Sequence, residues 1–176
     1  CVLDKPSKIK NALLKACNDV DVILTAGGVS VGEEDHVRSA VDELGEVEFW
    51  KVAIKPGKPI AFGHVKGIPF VGLPGNPASV FVTFMVLARP FLMSCQGEKK
   101  VKLPVVQARA LFDRLGDSRE AYLRGRLITD GDGLGVEIYP NQSSGVLASV
   151  SWGDVLVKQK IHQDINFNDL LDVIVY

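Results

Sequence analysis

Near residue 100 the chain changes its periodicity, and that change constrains the fold more than any other feature. Before it, short apolar runs alternate with amphipathic helical segments. From Leu103 onward the chain breaks into brief alternating runs, such as EAYLRGRLIT and DVLVKQKI, with DGDGLG and SWGD supplying turns between some of them. The first pattern belongs to layered α/β domains and the second to small all-β barrels or sandwiches. The break falls near residues 96 to 103, so the expected division is 1–98 and 99–176.

Within the first part, SKIKNALLKACNDV places Ile9, Leu13, Leu14 and Cys17 on one helical stripe, with Ser7 as the expected N-cap. DVILT reads as a short strand, apolar on both faces, as in the middle of a parallel sheet. TAGGVSVGEED follows, and then a helix with Val37, Ala40, Val41 and Leu44 on one face and Gly45 as its C-cap. VEFWKVAI, PIAFGHV and IPFVGL read as strands. PGNPASVFVTFMVLARPFL reads as a turn and a helix, with Asn76 as N-cap and Pro77 in the first helical position. In the second part, SGVLASVS reads as a further strand.

Four segments can carry chemistry. In the first, Gly27 and Gly28 stand at the carboxyl end of a strand, where open α/β sheets bind ligands. Their backbone can approach a ligand and offer N–H groups to an oxyanion, or it can simply turn the chain. Glu33, Glu34 and Asp35 open the next helix, where acids either complement the helix dipole or hold a cation. The second, residues 51 to 66, holds four lysines and no acid. On one strand Lys51 and Lys55 would share a face. KPGK has the residues of a type II turn and would bring Lys55 and Lys58 together, which favours an anion between them. A solvated edge strand is the plainer reading.

LPGNPAS is the third. It repeats the strand-to-helix turn, with Pro74, Gly75, Asn76 and Pro77 shaping it and Ser79 in the first helical turn. The fourth lies in the β domain: Arg119, with Arg124 and Arg126 on one strand face, and the polar loop from Asn141 to Ser144. Arginine forks suit oxyanions, although an exposed strand face explains the same pattern.

Basic and acidic residues nearly balance, with net charge −1. Broad binding to nucleic acid or to an acidic membrane is therefore not expected. Cys1, Cys17 and Cys95 lie far apart without CxxC spacing, against a disulfide scaffold or zinc site and in favour of a cytoplasmic location. The longest apolar run is interrupted by Arg89 and Pro90 and reads as too short and too polar to span a bilayer. The chain has no signal peptide pattern, and it reads as a piece of a longer protein.

TAGGVSVGEEDH, FWKVAIKPGKPIAFG and GLPGNPASVFVTF, in that order, closely resemble the signature blocks of the MoeA family of molybdopterin molybdenumtransferases, which includes the E domains of gephyrin-like proteins. SREAYLRGRL and NQSSGVLAS extend the likeness into the β domain. The resemblance implies a three-layer, mostly parallel MogA-like α/β domain, truncated at its N-terminus, followed by the family's C-terminal β domain. It implies that the parent protein inserts molybdenum from molybdate into adenylylated molybdopterin and releases AMP, with a divalent cation such as Mg2+.

It also implies a homodimer with the site in a cleft between subunits, and other molybdenum-cofactor enzymes as partners. By motif, Asp35, Lys51, Lys55 and Asp4 take the catalytic positions, Asp35 also facing the metal. Gly27, Gly28, Ser30, Lys58, Pro74, Gly75, Asn76, Pro77, Ser79, Arg119 and Ser144 line the substrate site. The chain alone is expected to be weakly active at best, because acidic family positions precede its first residue. A MogA- or CinA-like nucleotide enzyme and a non-catalytic gephyrin-like scaffold are the alternatives. The GGVSVG, KPGKP and LPGNP blocks weigh against the first, and nothing in the sequence marks a peptide groove for the second.

Overall fold

In the computed structural model, residues 1–29 and 36–176 are described, except for the side chains of residues 49–51. Ser30 and Asp35, both assigned to the site above, lie outside the described residues. The chain packs as two compact units, one of residues 1–52 and 57–76, the other of 53–56 and 77–176.

The first unit opens with α1 (Pro6–Ala16). Pro6 is already helical and the cap position is Lys5, with no side-chain capping bond, so Ser7 is not the N-cap. A proline at the first position supplies a preset φ and lacks only an N–H that would have no helical partner. Ile9 and Leu13 are buried against β1 (Ile23–Ala26) and α2 (His36–Leu44), whereas Leu14 points to solvent. The sheet continues with β2 (Gly45–Lys51), β4 (Pro59–Val65) and β5 (Ile68–Leu73), in the order β1-β5-β4-β2. Only β1 and β5 run parallel, and the two remaining pairings are antiparallel, so the sheet is mixed. Among the described residues β1 is an edge strand, and Leu24 is accordingly 38% exposed instead of buried between layers.

Gly45 does not cap α2 with left-handed backbone. It starts β2, where a Cβ would stand only 1.9 Å from the carbonyl oxygen of His64 on β4. Close strand approach, rather than helix termination, requires glycine there.

VEFWKVAI is not one strand. The chain leaves the first sheet at Val52, whose N–H donates to the Lys58 carbonyl at 2.9 Å, and β3 (Ile54–Lys55) pairs in parallel with β7 (Glu120–Asp130) of the second unit. Lys51 and Lys55 therefore lie on different strands. In the turn from Lys55 to Lys58 the Lys55–Pro56 peptide is cis, and Gly57 has left-handed backbone, at φ 113°, at the position where a type II turn places its glycine.

The second unit begins with a continuous helix, Pro77–Cys95, made of α3 (Pro77–Thr83), a π-helical segment (Phe84–Ala88) and α4 (Arg89–Cys95). Pro90 cannot donate an N–H, and its ring would meet the carbonyl one turn back. The wide turn just before it, closed by Arg89 N–H to the Phe84 carbonyl, lets the helix run through. The helix expected over this stretch therefore continues through Arg89 and Pro90, and the expectation that the run is too short and too polar to span a bilayer is corrected. By length and composition its 19 residues could cross a bilayer, a test that core helices of soluble domains also pass.

β6 (Val105–Ala110), β7, β8 (Gly133–Ile138), β9 (Val155–Gln159) and β10 (Leu170–Val175) close into a five-stranded barrel. Closure comes from the length of β7: its first half pairs with β9 and its second half with β8, meeting at Gly125. Leu123, Val136, Val157, Leu171 and Val173 fill the interior. SGVLASVS, read above as a strand, instead gives a turn and the short helix α5 (Ala148–Trp152). The Ser149 hydroxyl donates back to the Val146 carbonyl at 2.6 Å.

Candidate functional site

In the first unit, the carboxyl ends of the parallel neighbours β1 and β5 bring two of the glycine turns together. Gly27 N–H donates to the carbonyls of Leu73 and Pro74, at 3.0 and 3.2 Å. A Cβ on Gly27 would lie 3.7 Å from the Gly75 Cα, so the backbones touch with nothing between them. Gly27 and Gly28 have φ of 88° and 73°, left-handed backbone that glycine adopts without strain, and the Gly27 N–H is taken up by the neighbouring turn.

Beside this contact lies a cavity of about 800 Å³, lined among others by Thr25, Gly27, Gly28, His36 and, from the residues ahead of α1, Asp4. Asp4 thus stands on the same cavity as the glycine turn. The Thr25 hydroxyl is buried without a hydrogen-bond partner among the described residues. Asn76 directly precedes α3, and Lys58 is exposed on the turn into β4.

The second unit assembles a different set. Lys55 Nζ donates to Asp117 Oδ2 at 2.7 Å, and both side chains are only partly exposed. The other carboxylate oxygen accepts the Arg119 N–H and the Ser118 hydroxyl, each at 3.3 Å. The hydrogen bond from Lys55 is the main reason the Asp117 carboxyl is held down at about 2, and the lysine charge and the Arg119 amide add to it against partial desolvation. Arg119 Nη1 reaches back to the Ile54 carbonyl at 3.3 Å, so the strand that carries Lys55 is held by the arginine itself. Lys55, Arg119 and the Ser118 hydroxyl thus converge on one pair of oxygens. That is the donor set an oxyanion uses, and here an internal carboxylate takes it.

Ser79 is buried in the first turn of α3, and its backbone carbonyl accepts the Thr83 hydroxyl at 2.8 Å. One residue earlier, Ala78 N–H donates to the Ser144 carbonyl at 3.0 Å. Ser79 and Ser144 are therefore adjacent, and the loop from Asn141 supplies an acceptor to a helix N–H that has none inside the helix.

Arg124 and Arg126 do not behave as a pair. Arg126 is exposed, bonds Glu137 and stacks 4.8 Å over the Trp152 ring. Arg124 is fully buried, because the chain from Tyr139 to Ser149 covers it. Burial pulls its pKa down to about 10, so it stays charged at neutral pH.

Magnesium takes several oxygen ligands. Among the described residues no three His, Cys, Asp or Glu side chains converge in a way that could hold a metal. Asp4 alone among the acids lines the cavity, and Asp35 lies outside the described residues. The described residues by themselves do not make a magnesium site.

Asp117 and the burial of Arg124 escaped sequence reasoning. Asp117 stands two residues before Arg119 in a turn, an acid among basic candidates, and that proximity was the available signal.

Residues 1–94 match the family described as "Probable molybdopterin binding domain", and residues 107–173 match "MoeA C-terminal region (domain IV)". A molybdopterin molybdenumtransferase of Haemophilus influenzae is 46% identical over 101 residues, covering 57% of this chain and 25% of the relative. The molybdenum cofactor synthesis protein cinnamon of Drosophila melanogaster is 38% identical over 161 residues, covering 89% and 27%. The crystal structure of the molybdopterin biosynthesis MoeA protein from Pyrococcus horikoshii superposes with a TM-score of 0.77 at 29% identity, covering 98% of this chain and 41% of that one. The chain spans well under half the length of these relatives.

Proposed function

Because the chain belongs to the MoeA family, a molybdopterin-binding domain followed by the family's C-terminal region, we propose that the whole protein is a molybdopterin molybdenumtransferase. It takes adenylylated molybdopterin and molybdate as substrates, inserts molybdenum and releases AMP. The names of the H. influenzae and D. melanogaster relatives support this reading. The observation that carries it is the donor set at Lys55: a lysine ammonium, a serine hydroxyl and the Arg119 backbone N–H on the oxygens of one carboxylate, with Arg119 anchoring the lysine's strand.

In this reading Lys55, Lys58, Ser79, Arg119 and Ser144 hold the molybdate oxygens. Gly27, Gly28, Ser30 and the Pro74–Gly75–Asn76–Pro77 turn present backbone to the adenylylated pterin. Lys51 contributes a further positive charge. Asp35 would face a divalent cation such as Mg2+, which neutralises phosphate charge when bound, and Asp4 takes a catalytic position. The working form is a cytoplasmic homodimer that acts beside other enzymes of cofactor synthesis.

The test uses the full-length protein with adenylylated molybdopterin, magnesium and a molybdate titration, reading AMP release. Turnover should saturate in molybdate, and Lys55→Ala should lower it about 100-fold, the usual effect of removing one oxyanion donor. AMP release indifferent to both molybdate and Lys55 would sink the reading. Adenylation of molybdopterin from ATP would show a MogA-like enzyme instead.

A further inference from the structure

Arg124 is the only charged side chain among the fully buried described residues. A buried cation is unfavourable unless its donors are well matched, and an apolar side chain of similar volume is often as stable or more so. Its guanidinium forms no ion pair among the described residues. It donates instead to two neutral acceptors, the Ser149 hydroxyl at 3.0 Å and the Ser143 carbonyl at 3.1 Å. These acceptors stand at the two ends of the turn from Ser143 to Ser149.

The backbone of the same residue holds the start of that turn. Its N–H donates to Gln142 Oε1 at 3.0 Å, and its carbonyl accepts Gln142 Nε2 at 3.0 Å and the Tyr139 N–H at 2.9 Å. The Ser149 hydroxyl in turn donates a hydrogen bond to the Val146 carbonyl. The loop has one further bond that matters: the Ser144 carbonyl takes the Ala78 N–H, immediately before Ser79.

We propose that Arg124 is the positioning residue of the oxyanion site, a fork that fixes the Ser143–Ser149 turn and so sets Ser144 against the first turn of α3, beside Ser79. The assignment of Ser79 and Ser144 to molybdate rests on the function proposed above; the mechanical link between Arg124 and Ala78 does not. The rigid, two-pronged geometry is what arginine adds here. Lysine keeps the charge but reaches one acceptor, and methionine keeps the bulk and reaches neither.

Arg124→Lys, Arg124→Met and Ser149→Ala, each in the full-length protein, test this. Hydrogen exchange at the Ala78 amide should quicken about tenfold in both Arg124 variants and less in Ser149→Ala, while the β9 amides keep their protection. In Arg124→Lys, half-saturating molybdate should rise about tenfold with kcat within about twofold, because a loosened donor weakens binding before chemistry.

Unchanged Ala78 exchange overturns the proposal. So does exchange that rises equally at Ala78 and β9, which would make Arg124 a general stabiliser. A fall in kcat with unchanged molybdate dependence overturns its role at the site. If the wild-type protein shows no molybdate dependence, the proposed function fails, and the exchange result still decides the mechanical link.

Discussion

The two units carry their candidate site residues on different materials. The first uses backbone: Gly27 against Gly75, left-handed glycines after β1, and a cavity wall with few charged side chains. The second uses side chains: Lys55 on Asp117, Arg119 on the Ile54 carbonyl, Arg124 on Ser143 and Ser149. A backbone wall is intolerant of added atoms but insensitive to charge. A side-chain network is the reverse. The difference predicts which substitutions should unfold the protein and which should only change how it binds.

The largest expected effect is a single methyl group in the first unit. Gly45→Ala puts a Cβ 1.9 Å from the His64 carbonyl oxygen, and the neighbour is backbone that cannot rotate away. β2 and β4 must part, at a cost of about 3 kcal/mol or more, comparable to the worst cases of overpacking. Chemical denaturation of the full chain measures it, and a stability loss below about 1 kcal/mol would show that the two strands are not so tightly apposed. At the site itself, Gly27→Ala forces a side chain onto φ 88°, with a milder loss of about 1–2 kcal/mol. Equal losses for Gly27→Ala and Lys55→Ala in the same denaturation series would erase the contrast between the units.

The same contrast explains what the sequence disclosed. The α/β layering followed by a β domain and the Gly27–Gly28 and Pro74–Gly75 turns were legible, because each is a local event, a strand running into glycine. Pairing between segments distant in sequence was not. VEFWKVAI looks continuous because every residue suits a strand, yet Ile54 and Lys55 pair with Glu120 and Ala121, and that competition moves the chain into the second sheet. Gly45 looked like a helix cap because the nearest apolar run ended there, whereas its real neighbour is His64. Arg124 alternates with Arg126 as an exposed pair would, and only the covering loop separates their fates. Lys55 suggested an anion, but not that Asp117, far along the chain, supplies one.

The smallest expected effect on stability falls on that last pair. Asp117→Asn keeps the size of the side chain and removes the charge that Lys55 faces. At neutral pH the denaturation midpoint should hardly move, because a partly solvated ion pair contributes little. Binding should move more. With its internal competitor gone, Lys55 is free for an outside oxyanion, and half-saturating molybdate in the full-length protein should fall several-fold.

The pH dependence has a definite sign. The folded carboxyl is held at about 2, below the ordinary carboxylate value, so the folded state binds this proton more weakly than the unfolded chain. The stabilisation is complete above the unfolded value near ~4 and disappears as the pH falls through the folded one. Wild type and Asp117→Asn should therefore differ by a small constant amount above about pH 5 and converge between about 4 and 2. A difference that persists unchanged to pH 2 would mean that the carboxylate does not depend on Lys55. The competition between Asp117 and molybdate would then lose its physical basis, even if the lysine itself proved essential.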